Sequence, residues 1–310
     1  MEDYPRTLME FERRFATEEA CRAYLVQMRW PDGIQCPRCR QRKAWETTRG
    51  RYECARCGFQ HSVLAGTIFQ DTKADLRLWF RAMWYVTNQK SGISALGLQR
   101  TLGLGSYRTA WTWLHKLRTA MVRPGRERLT KAVEVDEVYV GGVEPDRRGG
   151  RQRSPAKALV AVAAEVRDRG IGRIRLQRIP DASEESLVGF VQEAVEPGAI
   201  VRTDGWTAYP GLARAGYTHR PRVISGSGRT ASTLLPRVHR VAALLKRWLL
   251  GIHQGRVAHT HLDAYLDEFT FRFNRRTSRW RGKLFYRLVQ QAVSVVPVRI
   301  RDLLPSTVDV

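Results

Sequence analysis

The chain has 310 residues, more than one hydrophobic core usually organises, so two or three domains are expected. Apolar residues make up 43% and charged residues 27% of it, which excludes a disordered chain, and no stretch offers the roughly 18 uninterrupted apolar residues of a membrane span. Lys and Arg number 53 against 30 Asp and Glu, a formal charge of +23, and such a surplus implies a polyanionic partner whose phosphates supply the counter-charge. Charge fixes the partner class and not the chemistry, because a ribosomal or merely basic protein would show the same surplus. The opening MEDYPRTLMEFERRF is charged rather than signal-like, so a soluble, cytoplasmic chain is expected.

Residues 1–30 read as a helical segment. An apolar stripe of Leu8, Phe11, Phe15, Cys21, Tyr24 and Leu25 spans about 7 to 28 before Pro31 ends it. Residues 31–62 hold two knuckles, Cys36-Pro-Arg-Cys39 and Cys54-Ala-Arg-Cys57. Two residues between cysteines let both thiolates reach one ion, and two knuckles complete the tetrahedral shell of a structural zinc. A disulfide pair is disfavoured in a reducing cytosol, and the spacing leaves a rubredoxin-like iron site open. Cys21 stands outside this pattern and reads as a small buried hydrophobe.

Residues 72–122 read as a helix-turn-helix-like domain. Leu76, Trp79, Phe80, Met83, Trp84 and Val86 make a core helix, Ile93 to Leu102 a short one, Gly103 to Gly105 a turn, and Ser106 caps a helix running to about Met121. Ala110, Leu114, Leu117 and Met121 recur at helical spacing and should face the core, which turns Arg108, Thr109, Thr112 and Lys116 outward as on a recognition helix. The same periodicity fits a plain three-helix bundle with a solvated basic face.

The pattern changes from helical to extended around Arg123 to Arg126, and a domain over 130–300 is expected to follow. Val133 to Val140, ended by Gly141 and Gly142, Ala158 to Val166, Arg173 to Ile179 and Ile200 to Thr203 read as strands, Glu184 to Val195 as a helix, and the chain from about Thr233 as mostly helical. The basic run Arg147 to Arg153 reads as a loop. Strands and helices in this order predict an α/β domain. Asp136 lies within the valine-rich first strand, and Asp204 ends another. A buried carboxylate is unfavourable unless paired or bound to metal, so two on neighbouring strands would make a metal-binding edge; taken singly, a turn for Asp204-Gly205 and a salt bridge for Asp136 serve as well.

Four motifs occur in order behind the knuckles: Val-Asp-Glu-Val-Tyr-Val-Gly-Gly ending at Gly142, Thr-Asp-Gly-Trp-Thr-Ala-Tyr ending at Tyr209, Leu-Leu-Lys-Arg ending at Arg247, and Tyr-Leu-Asp-Glu-Phe-Thr-Phe-Arg-Phe-Asn-Arg-Arg ending at Arg276. Over nearly its whole length the chain resembles DDE-type insertion-sequence transposases with an amino-terminal zinc ribbon, the insertion sequence fifteen ninety-five family. The resemblance implies an RNase H-like catalytic domain, with Asp136 and Asp204 as the first two catalytic acids, and a homo-oligomer assembled on double-stranded DNA.

Where related enzymes often carry Glu or Asn as the third ligand, registering the helix on the Leu-Leu-Lys-Arg motif puts His239. A neutral imidazole also coordinates divalent metal, so Asp136, Asp204 and His239 are expected to hold Mg²⁺ or Mn²⁺ for two-metal phosphoryl transfer. Glu137, Asp267 and Glu268 are the alternatives for the third ligand, the last two expected on a solvated face. Lys246, two turns from His239 on a shared face, and Arg247 are expected to position phosphates, and Arg275 and Arg276 open a basic run able to track DNA. A non-catalytic zinc-ribbon regulator and a structure-selective nuclease are the competing functions.

Overall fold

The computed structural model describes residues 2–123, 125–141, 157–223, 230–254 and 257–303; the expected basic run 147–153 and Gly142 lie outside them. Two compact units result, Met1–Arg123 with Thr277–Val310, and Pro124–Arg276. This corrects the expected 130–300 domain, because the last helices belong to the first unit. Among the described residues no helix is long and apolar enough to cross a membrane.

In the first unit the expected single amino-terminal helix is two. Helix α1 (Leu8–Arg14) is capped by Thr7 and α2 (Glu18–Arg29) by Thr17, whose hydroxyl accepts from the Ala20 amide and restarts the helix. Strands β1 (Ala44–Glu46), β2 (Tyr52–Cys54) and β3 (Gln60–His61) form an antiparallel ribbon. Helix α3 (Leu76–Asn88) follows, then α4 (Ala95–Leu102), which ends at Gly103, and α5 (Tyr107–Ala120), whose N-cap Ser106 accepts from the Thr109 amide at 3.1 Å.

The second unit is built on a sheet. Strands β4 (Ala132–Gly141), β5 (Lys157–Val166) and β6 (Ile171–Ile179) form an antiparallel meander, and β7 (Ile200–Thr203) and β8 (Thr218–Pro221) add in parallel on the other side of β4. The resulting order is β6-β5-β4-β7-β8, a mixed sheet with helices on both faces that makes the unit α/β, as expected. Helices α6 (Glu184–Ala194) and α7 (Gly211–Arg214) cover one face, where Val133, Val135, Leu187, Phe190 and Val201 form a core. After the short α8 (Ala231–Leu234), α9 (Pro236–His253) and α10 (Leu262–Asn274) cover the other with Val140, Val160, Val162, Val238, Val241, Leu245 and Phe269.

Strand β4 changes its apolar face halfway. Val133 and Val135 belong to the α6 core, whereas Val138 and Val140 pack on the α9 side. Successive side chains alternate between faces, so Glu134 and Asp136 occupy the α9 face in the half of the strand where that helix begins. Asn274 closes the other flank: its amide accepts from the Ile174 N–H at 2.7 Å and donates to the Ile174 carbonyl at 3.1 Å, substituting for a strand partner at the sheet edge.

The chain returns to the first unit with α11 (Gly282–Ala292) and the short α12 (Ile300–Leu303). Phe285 of α11 meets Phe11, Phe15, Phe80 and Trp84 at ring distances of 5.4–5.8 Å. Gly282 allows this approach, since a Cβ there would lie 1.6 Å from the Pro5 carbonyl oxygen. A basic run at 275–283 gave no sign in sequence that it leads into a core helix.

Candidate metal and catalytic centres

Sγ atoms of Cys36, Cys39, Cys54 and Cys57 all lie within 4.8 Å of one another. Cys36 and Cys57 are separated by 3.7 Å and Cys39 and Cys54 by 3.5 Å, close to the edge of about 3.8 Å that a tetrahedron with 2.3 Å zinc–sulfur arms requires. The Arg56 N–H donates to Cys54 Sγ at 3.4 Å. Although burial opposes ionisation, amide donors from Cys57 and Arg56 and the neighbouring thiols hold Cys54 below the usual thiol range, to about 6. All four donors converge on one point, which suits a closed structural site. Cys21 is fully buried, as expected.

The second centre joins distant parts of the α/β unit. Parallel pairing of Ala132, Val133 and Glu134 with Ile200, Val201 and Arg202, continued by two residues, brings Asp136 opposite Asp204. On β4 the Asp136 side chain projects on the α9 face, because Val133 and Val135 face the other core. Past Asp204 the chain turns at Gly205, whose φ of +85° favours glycine, and the Trp206 amide donates to Asp204 Oδ1 at 3.0 Å.

His239 arrives from the first turn of α9, its Nε2 3.4 Å from Asp136 Oδ2. Burial pulls its pKa below the ordinary imidazole value against the opposing charges of Glu134 and Asp204, which favours the neutral ring that can ligate metal. Its Nε2 is buried and makes no hydrogen bond among the described residues. Among those residues only the cysteines bring three or more ligand atoms within 4.8 Å; the acid centre is a close Asp136–His239 pair with Asp204 as register neighbour.

Glu134 places His239, and sequence reasoning passed it over. Only 1% exposed, its carboxylate accepts from the Arg237 and Val238 amides at 2.7 and 3.2 Å and pairs with the Arg237 guanidinium at 2.9 Å. A carboxylate thus caps the positive end of α9 one residue before His239. A glutamate on the inward side of a valine-rich strand, two residues before the first acid, was the available signal.

The alternative third ligands lie elsewhere. Glu137 accepts from the Tyr209 hydroxyl at 2.8 Å on the α6 face, where Tyr209 belongs to the core. Asp267 and Glu268 sit on α10 and are not on the solvated face expected: Glu268 is 2% exposed, and burial pushes Asp267 up to about 7, with Arg126 opposing and Asp263 adding to the rise.

Lys246 and Arg247 are exposed on α9. Seven residues of helix, about 10.5 Å, separate Lys246 from His239, and it lines a cavity with Lys157, away from the acid pair. Arg275 stacks over Phe271 at 4.0 Å and donates to the Phe271 carbonyl. Arg276 donates to the carbonyls of Phe273, Gly172 and Ile171, so both arginines already tie the end of α10 to its surroundings.

On α5, Arg108 and Thr109 are exposed, but Thr112, expected outward, is 8% exposed and Lys116 is half-buried. Both line a groove walled by Gln70 to Ala74 and by Pro297 to Ile300. The carboxy-terminal segment covers part of the face read as open, a contact between distant parts of the chain that periodicity does not reveal.

A four-thiolate cluster in a small antiparallel ribbon thus stands ahead of an α/β unit in which Asp136 lies on β4 and Asp204 follows β7. Residues 128–274 match the ISXO2-like transposase domain, and residues 16–60 match the transposase zinc-ribbon domain. Both matches are to domains of insertion-sequence transposases, the zinc-ribbon match lying ahead of the transposase-domain match. It is similar, at 28% identity over 279 residues covering 84% of this chain and 92% of the relative, to an uncharacterized protein in transposable element ISH50 of Halobacterium salinarum. Among solved structures, a Mos1 strand transfer complex aligns over 69% of this chain and 75% of that one at 12% identity and TM-score 0.31. A simian T-cell lymphotropic virus intasome in complex with a PP2A regulatory subunit aligns over 62% and 70% at 13% identity and TM-score 0.34.

Proposed function

We propose that the chain is a DNA transposase that cleaves at transposon ends and joins the released 3′-hydroxyl to target DNA. The observation that carries this reading is the meeting of His239 with Asp136 at 3.4 Å, beside the register-matched Asp204, inside the segment that matches the transposase domain. Two carboxylates and one imidazole suit Mg²⁺ or Mn²⁺, and a buried ring nitrogen without a hydrogen bond among the described residues is costly unless another group takes its lone pair. Bound there, divalent ions supply Lewis-acid activation of water and of the 3′-hydroxyl in a two-metal phosphoryl transfer.

Each protein group has a share in this work. Asp136 and Asp204 hold their positions through the sheet, and Glu134 fixes the start of α9 so that His239 faces Asp136. Lys246 and Arg247, further along the helix, bind phosphates of the same strand, and Arg275 and Arg276 add positive field near the sheet edge. The α4–α5 pair, with a short glycine-containing turn between its helices, suits a helix-turn-helix. In it Arg108 and Thr109 remain accessible for DNA, and Thr112 and Lys116 act only through the groove they line. The ribbon cysteines hold structural zinc, and the chain acts as a homo-oligomer on paired DNA ends, in the cytoplasm at the nucleoid.

Strand transfer of a labelled duplex from the end of the element into plasmid, with Mg²⁺ or Mn²⁺, tests the reading. Joint products are expected from the wild type and absent from Asp136→Ala, Asp204→Ala and His239→Ala, each of which retains DNA binding. Binding without products from the wild type would favour a regulator, and cutting of branched DNA without joining would favour a nuclease.

A further inference from the structure

Beyond the acid pair, the α9 face of the sheet holds a cavity of about 240 Å³ where β4 ends and β5 begins. Its apolar wall comes from Val140, Leu249, Leu250, Val257 and Leu262, and its polar groups include Lys157, Lys246 and His259. Among the described residues that line it, none is acidic. Although Lys246 is exposed over much of its length, partial desolvation of its ammonium and then the charge of Lys157 lower its pKa, which agrees with two ammonium groups near one space.

Position ties this cavity to the acid centre, since the same two elements build both. Four residues of strand separate Asp136 from Val140, about 13 Å, and two helical turns separate His239 from Lys246, about 10.5 Å. Phosphates on one strand of a duplex recur every 3.4 Å or so of helix axis and lie farther apart through space because the strand also winds around that axis, so a strand whose scissile phosphate lies at Asp136 would reach the cavity about two phosphates away. Such a small cavity, with cations on one side and aliphatic carbon on the other, matches one nucleotide: phosphate toward the lysines, base or sugar against the leucines.

We propose that this cavity is a subsite for a single nucleotide of the DNA strand being processed, with Lys157 and Lys246 holding its phosphate and Val140, Leu249, Leu250 and Leu262 receiving its base. The proposal rests on the transposase reading and adds a place where an unpaired base near the reacting phosphate is held. Taking a base out of its stack is unfavourable, and such a pocket offsets that cost.

The test uses the full chain with zinc bound and calcium present, and follows the anisotropy of a fluorescein-labelled thymidine hexamer against a hexamer of the same backbone without bases. Wild type is expected to bind the base-bearing hexamer about tenfold more tightly. Leu250→Asp, at a side chain 65% exposed and therefore compatible with folding, should erase that difference, and Lys246→Gln should weaken both hexamers several-fold. Survival of the base preference in Leu250→Asp, or its loss instead in Trp45→Ala on the ribbon, would overturn the assignment. Displacement by free deoxythymidine monophosphate at concentrations equal to the hexamer would also overturn it in favour of a free nucleotide. Joint products from Asp136→Ala in the strand-transfer assay would instead remove the catalytic assignment and leave the subsite standing.

Discussion

The ribbon and the acid centre reach their geometry by opposite routes. Four thiolates between Cys36 and Cys57 converge because each knuckle is a local turn, and the short hairpin needs only to bring two knuckles together. Asp136, Asp204 and His239 span more than a hundred residues and meet through a parallel register and a helix start. A locally closed site depends on its ligand, whereas a site assembled across a sheet depends on what anchors its elements.

The largest expected effect therefore concerns zinc. In zinc-finger peptides the metal supplies on the order of 10–16 kcal/mol, so Cys54→Ser should abolish stoichiometric zinc and unfold the ribbon, read from metal content and from the fluorescence of Trp45. A ribbon that stays folded without metal would break the contrast. On the other side, Glu134→Ala leaves the first α9 amides without their acceptor and Arg237 with only the Gly170 and Arg167 carbonyls, and should cost about 1–3 kcal/mol, measured by urea unfolding. A loss near zero would mean that α9 is held by its apolar face alone.

Legibility followed the same division. The cysteine spacing predicted the cluster directly, and the valine-rich strands predicted the sheet that carries Asp136 and Asp204. Glu134 could not be recognised as the anchor of α9, because its partners Arg237 and Val238 lie more than a hundred residues away. Thr112 and Lys116 were turned outward by their own helix, but Pro297 to Ile300 form a wall beside them, a tertiary contact outside any local period. Glu268 was placed on a solvated face because α10 is rich in aromatics at many positions, and its helix packs more widely than one stripe.

Further effects sharpen the picture of the α/β unit. Asp267 titrates near 7 in the fold against an ordinary value of 3.8, so the native state binds the extra proton between those pH values. Its contribution is fully present below the unfolded pKa and is lost as pH rises through about 7, an effect of up to about 4 kcal/mol. Asp267→Asn should flatten that decline in urea melts at pH 5 and pH 8. The smallest change is Thr112→Val. The Thr112 hydroxyl is buried with no hydrogen-bond partner among the described residues, so removing it should leave stability unchanged or raise it by about 1 kcal/mol, with DNA affinity retained. A marked loss of DNA binding would restore Thr112 as a contact residue.

Manganese binding to the zinc-loaded chain, followed by titration calorimetry in wild type, Asp204→Ala and His239→Ala, tests the central claim most directly. Binding in the wild type that is abolished in Asp204→Ala and weakened in His239→Ala is the predicted result. Equal manganese affinity in all three proteins would contradict the assignment of Asp136, Asp204 and His239 as one metal centre.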